Sequence, residues 1–219
     1  MRHLLTSVAV VCLVVIFPPQ SAAPQAAPQT ANAALRDLLF PEVKVEALRA
    51  RGPGVASELA VLYSQSGEQE RAVIAWTFYQ LGLKSADAKR VLMADVHTAN
   101  SDLRLQVQWA LGRVSNDRDV IDALLGNMQH DDNPLFRDKA ACALAHDQIH
   151  LTEEQKAYMY ERLIGALRDP KHQVRDIAIK VLEIQTGQSK GYNPSAPAPQ
   201  REESIRTWER WLDEYRAQL

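Results

Sequence analysis

Apolar positions recur at helical spacing along most of the chain. Val120, Ile121, Leu124, Leu125 and Met128 share one helical face, as do Tyr160, Leu163, Ile164 and Leu167. A longer period lies over this one. Arg71, Arg104, Arg137 and Arg175 stand 33, 33 and 38 residues apart, and the columns around them agree. Leu103, Phe136 and Val174 precede the last three. Ile74, Val107, Ala140 and Ala178 lie three residues on, and Phe78, Leu111, Leu144 and Leu182 lie seven on. At 100° per residue these offsets fall in one stripe, so each copy carries an amphipathic helix with a second helix before it. The pattern predicts helix pairs at 54–65/68–82, 86–97/102–114, 117–129/134–146 and 153–168/171–185, and a last helix over 201–218. Strand signals are nearly absent: there is no Asn-Gly or Asp-Gly hairpin and no sustained period-2 alternation.

The boundaries carry their own chemistry. Thr152-Glu153-Glu154-Gln155 is a capping box, in which the Thr hydroxyl accepts from the amide three residues on while Gln155 reaches back. Asn133-Pro134 and Asp169-Pro170 each set a capping side chain before a proline at the first helical position. Two stretches interrupt the periodicity. Residues 24–34 form a Pro/Gln/Ala-rich tether expected to stay solvated, and residues 186–200 form a Gly/Pro/Ser-rich linker before the terminal helix. The organisation expected is therefore a leader over 1–23, the tether, helical repeats over 35–185, the linker, and a capping helix over 201–219.

LIGALRDPKHQVRDIAIKVLEI, residues 163–184, resembles a HEAT repeat: a helix, an Asp-Pro turn, and a second helix opening on Val-Arg and continuing with Ala and Leu. Residues 186–215 resemble a tail that follows such repeats in many bacterial proteins and ends in a Trp-bearing helix. Asp131 and Asp169 lie six residues before Arg137 and Arg175, as in that family's pattern of turn aspartate and helix arginine; Thr98 and Gln65 hold that place before Arg104 and Arg71. The first pair also resembles a tetratricopeptide unit, through Tyr63, Gly67, Ala72 and Trp76. Either resemblance implies an all-α fold of stacked helix pairs, an α-α superhelix forming a short right-handed solenoid of about four pairs. The 201–218 helix would cap its end through Ile205, Trp208, Leu212 and Tyr215, with Trp208 and Trp211 as structural residues. The resemblance implies a non-enzymatic scaffold binding a protein or peptide on its concave face. HEAT-like repeats also occur in phycobilin lyases and alkylpurine DNA glycosylases, which keeps an enzyme as the alternative.

Composition narrows this picture. The chain has 219 residues, 25 Lys+Arg against 27 Asp+Glu, and only two cysteines. Near-neutral charge argues against binding nucleic acid along its phosphate backbone, and therefore against a glycosylase. Two cysteines exclude a disulfide framework, a Cys₄ zinc site and a CxxC redox motif. Leu4 to Phe17 is free of charge and follows Arg2, and Ser21-Ala22-Ala23 offers small residues for cleavage, so residues 1–23 read as an export signal. As a helix the 14 residues from Leu4 to Phe17 would span roughly 21 Å, short of the roughly 30 Å membrane core, which favours cleavage over anchoring. The expected product is a periplasmic or secreted protein, not an integral membrane one, carrying Cys142 alone. Export is the wrong address for a phycobilin lyase.

Candidate chemistry is sparse, and no cofactor motif is present. His146 and His150 are four apart, a spacing that can place two imidazoles on one helical turn, but no HExxH pattern surrounds them and the segment straddles a predicted helix end. Cys142 has no evident histidine partner. The arginine column admits two readings: a ladder for an acidic partner, or pairing of Asp131 with Arg137 and Asp169 with Arg175 that pins each turn to its helix. Near-zero net charge favours the second. Trp76 and Trp109 stand in register, five residues past Arg71 and Arg104, roughly 150° from the apolar stripe. With Ala72, Tyr79 and Leu105 beside them they form an aromatic patch for a partner or a carbohydrate. The other reading is burial, with the apolar segment 35–50 folded over them. In later copies that column holds Cys142 and Lys180.

Overall fold

The structure is a computed structural model describing residues 27–219, with side chains from Asn32 onward; the leader expected over 1–23 lies outside the described residues. Where the periodicity predicts pairs, helices form: α1 is Ala27–Arg36, α2 Val45–Ala50, α3 Val55–Ser64, α4 Glu68–Leu81, α5 Ala86–Ala94, α6 Ser101–Val114, α7 Arg118–His130 and α8 Pro134–Cys142. A π-helical turn, Ala143–Asp147, continues α8; α9 is Glu153–Ala166, α10 His172–Thr186 and α11 Ala198–Arg216. The described residues contain no strand, and the fold they form is all-α.

Local chemistry sets the ends. Ser85 and Asn100 accept the amides of Ala88 and Leu103 at 3.2 and 3.1 Å, which starts α5 and α6. The capping box forms as expected: Thr152 accepts from the Gln155 amide at 3.4 Å, and Gln155 Oε1 accepts from the Thr152 amide at 3.0 Å. Gly82 (φ 62°) and Gly187 (φ 69°) end α4 and α10 in the left-handed conformation, their amides returning to the Phe78 and Glu183 carbonyls.

Helices pack within the pairs α3/α4, α5/α6, α7/α8 and α9/α10. Between pairs, α4 lies along α6, α6 meets α8 and the π turn, and both of these meet α10. The first helices make contacts of their own: α3 with α5, α7 with α9, and α9 with α11. One continuous apolar core runs from Leu35 through Ile74, Leu111, Leu144 and Leu182 to Trp208. The stripes read from the sequence are its lining, and this burial supplies the main driving force for folding.

Four features depart from the sequence reading. Residues 27–36 are helical where a solvated tether is expected, and Leu35 at the end of α1 is buried with Leu39, which anchors the segment. The predicted helix 134–146 changes at Ala143 into the π turn; the Gln185 side chain donates to the Leu144 and Ala145 carbonyls at 3.3 and 2.7 Å, satisfying groups that the wider turn leaves over. Pro170 lies outside α10 rather than at its first position, because the Arg175 guanidinium takes the carbonyls of Asp169 and Pro170, both at 2.9 Å. The linker 186–200 is fastened to the body: Tyr192 is buried and donates to the Leu167 carbonyl at 2.6 Å, and α11 begins at Ala198.

Candidate functional site

The residues singled out on the second helices do not form one patch. Ala72, Trp76, Tyr79, Leu105 and Trp109 are all half-buried. Trp76 lines an open groove of about 380 Å³. Ala72, Val73 and Trp76 of α4 form one side; Leu39, Phe40, Pro41 and Val43, from the α1–α2 connection, face them; Asp102 and Gln106 of α6 complete it. The N-terminal segment thus walls the Trp76 site without sealing it. The segment 35–50, read from sequence as a cover for the two tryptophans, reaches Trp76 with Leu39, Phe40, Pro41 and Val43 and leaves that groove open.

Trp109 has other neighbours. Its ring lies 6.2 Å from that of Tyr79, and it packs against the core. The Arg113 guanidinium sits 4.2 Å above the Tyr79 ring, donates through Nη2 to the Tyr79 hydroxyl at 3.3 Å, and donates through Nε to Asp147 Oδ1 at 3.1 Å. Burial pushes the Asp147 carboxyl above its ordinary range, against the opposing pull of Arg113. Asp147 approaches so closely because residue 112 is glycine: a Cβ there would lie 3.0 Å from the Asp147 backbone. Register in sequence therefore does not give the two tryptophans one environment.

A second groove, of about 250 Å³, lies further along the same row, between α8 with the π turn and α10. Ala141, Cys142, Ala145, Ile177, Val181 and Ile184 supply its apolar lining. Its polar members are Asp138, His146, Gln173, Asp176 and Lys180. Lys180 is paired with Asp176 at 2.7 Å, and burial raises the Cys142 thiol above its usual range, which keeps it protonated and poorly nucleophilic. Sequence reasoning did not assemble this groove, although Cys142 and Lys180 hold the tryptophan column in the third and fourth copies.

His146 and His150 serve different ends. His146 is exposed on the second groove. His150 Nε2 lies 2.9 Å from both the Gly82 and Arg113 carbonyls. Two carbonyls only accept, so this nitrogen carries the proton and ties the ends of α4 and α6 together. Among the described residues no group of three or more His, Cys, Asp or Glu is placed to hold a metal ion.

The arginine column is engaged with the protein itself, and its pairs differ from those expected. Arg137 donates to the backbone carbonyls of Asp131 and Asp132, at 2.6 and 3.3 Å, and also reaches Gln173 at the start of α10. The Asp131 carboxylate pairs instead with Arg104, from the preceding copy. Arg71 reaches forward in the same way to Asp95, at 2.8 Å. Arg175 holds its own turn and, through Nε and Nη2, the Pro194 carbonyl at 3.1 and 2.9 Å. The Asp169 carboxylate accepts the Lys171 amide at 2.8 Å rather than a guanidinium. Each arginine thus joins its helix to the segment that comes next in the stack.

At the far end Trp208 is fully buried, and Trp211 sits 5.3 Å from it and 5.4 Å from Tyr160 of α9. Arg168 pairs with Glu202 and Glu209 at 2.6 and 2.9 Å, fixing α11 along α9. No helix among the described residues is long and apolar enough to cross a membrane. No protein-family model matches the chain, and no curated protein matches it either.

Proposed function

We propose that the chain is a HEAT-type scaffold, a right-handed α-α superhelix of four helix pairs closed by α11, exported from the cell that makes it. It binds a protein or peptide, without catalysis, on the face formed by α4, α6, α8 with the π turn, and α10. The observation that carries this reading is the placing of two apolar-floored grooves, around Trp76 and around Ile184, on that one row of second helices. Half-buried aromatic and aliphatic side chains held on a fixed scaffold bind partners with little loss of entropy. The engagement of all four column arginines within the fold supports a structural role for them and leaves recognition to the grooves.

Affinity capture from the envelope fraction of the producing cell tests this with the wild type, Trp76→Ala and Ile184→Ser, each first shown to be folded by circular dichroism. A partner retained by the wild type and lost from either variant is the expected result. Partners held equally by all three proteins would overturn the groove assignment.

A further inference from the structure

The Trp76 groove has a one-sided electrostatic character. Its floor and walls are apolar, from Leu39, Phe40, Val43, Val73 and the Trp76 indole, and no basic side chain lines it. Asp102 at one rim is exposed, and so is Glu42, between the lining residues Pro41 and Val43; neither has an ion-pair partner among the described residues. Of the nearby cations, Arg36 pairs with Glu70 at 3.1 Å and Arg71 with Asp95 at 2.8 Å, while Lys44, exposed beside Val43 and outside the lining, forms no ion pair among the described residues and donates to the Asp37 carbonyl at 3.2 Å. The one carboxamide, Gln106, lines the groove with its oxygen unpartnered. At about 380 Å³ the groove falls in the range of small-ligand clefts, about 300–1,000 Å³, and is large enough for one or two side chains.

We infer that this groove selects a basic, apolar-flanked peptide segment of a partner protein, its cationic side chain seated over the Trp76 indole and beside Asp102 and Glu42. An indole face attracts a guanidinium or ammonium through its quadrupole, and an adjacent carboxylate adds to that attraction where water is partly excluded. A like-charged acidic segment would meet two uncompensated carboxylates and be rejected. The inference rests on the groove reading above and adds the chemistry of the occupant.

Fluorescence anisotropy of the full-length protein with three labelled peptides tests it, each peptide alternating leucine with arginine, serine or glutamate. The arginine peptide is expected to bind most tightly and to weaken as salt rises. Glu42→Gln with Asp102→Asn should cost about tenfold in its affinity, while Trp76→Ala removes the binding. If the serine peptide binds as tightly and the double variant changes nothing, the charge selection is wrong while the groove stands. If no peptide binds, or Trp76→Ala leaves binding intact, the inference falls; the groove reading is then judged separately by the capture experiment, which assumes no charge on the partner.

Discussion

Arg104 of α6 forms an ion pair with Asp131, which lies 27 residues on in the turn that follows α7, and its guanidinium rests 4.5 Å above the Phe136 ring. The two side chains are only 16% and 4% exposed. Breaking such a pair from one side leaves a charge with poor access to water, so Asp131→Ala should cost about 3 kcal/mol in urea denaturation. Asp131→Asn, which keeps an acceptor for the Asn133 amide, should cost less. Arg104→Met combined with Asp131→Leu should recover much of the loss, because no unpaired charge remains. A double variant as unstable as the sum of the single ones would show that the pair does not join these elements.

Gln108 is fully buried on α6, and neither its carboxamide oxygen nor its nitrogen finds a partner. A buried polar group left without hydrogen bonds is a standing cost, so Gln108→Met, close in length and volume, should stabilise the fold by about 1 kcal/mol. A thermal melt reads the change directly. A lower melting temperature in the variant would mean that an ordered water serves the carboxamide.

The helix pairs were legible from sequence because each buries an apolar stripe that repeats, and because their caps are short-range. Thr152 with Gln155 is such a case: the residues that decide it are three apart. What the repeat hides is contact across copies. Asp131 and Arg137, six apart and apparently matched, are joined only through the Asp131 backbone, while the carboxylate turns to Arg104. A similar limit separates Trp76 from Trp109. Their columns are identical, but Gly112 admits Asp147 beside Arg113, and the residues facing Trp76 come from the connection after α1. Neither neighbour is set by the period. The Cys142 groove was out of reach for the same reason, since the helices that line it are separated along the chain by the whole of α9.

Trp208 is the centre of the terminal contact, with Ile205 and Leu212 buried on the same face of α11 and Tyr160 of α9 close to its neighbour Trp211. Trp208→Ala should cost about 3–5 kcal/mol, as expected for a large side chain removed from a packed core. Deleting residues 201–219 should lower the melting temperature further and promote aggregation, because the exposed side of α9 becomes an unpaired apolar face. A truncated protein that melts with the wild type would remove the capping role from α11.

Asp147 gives the fold a dependence on pH whose sign follows from its burial. Its carboxyl is held above the ordinary aspartate value of 3.8, with loss of hydration the largest cause and the Arg113 hydrogen bond and charge acting the other way. The native state therefore keeps this proton to higher pH than the unfolded chain does. Between 3.8 and the raised native value the folded protein binds more protons than the unfolded one, so this group's contribution to stability falls as pH rises through that window. Asp147→Asn cannot ionise and keeps the close packing on Gly112, which makes it the reference. Urea denaturation of both proteins at a series of pH values should show the wild type losing stability relative to Asp147→Asn across the window and running parallel to it above. If the wild type instead gains on the variant as pH rises, the attraction of Arg113 outweighs burial and the carboxyl sits below its ordinary range.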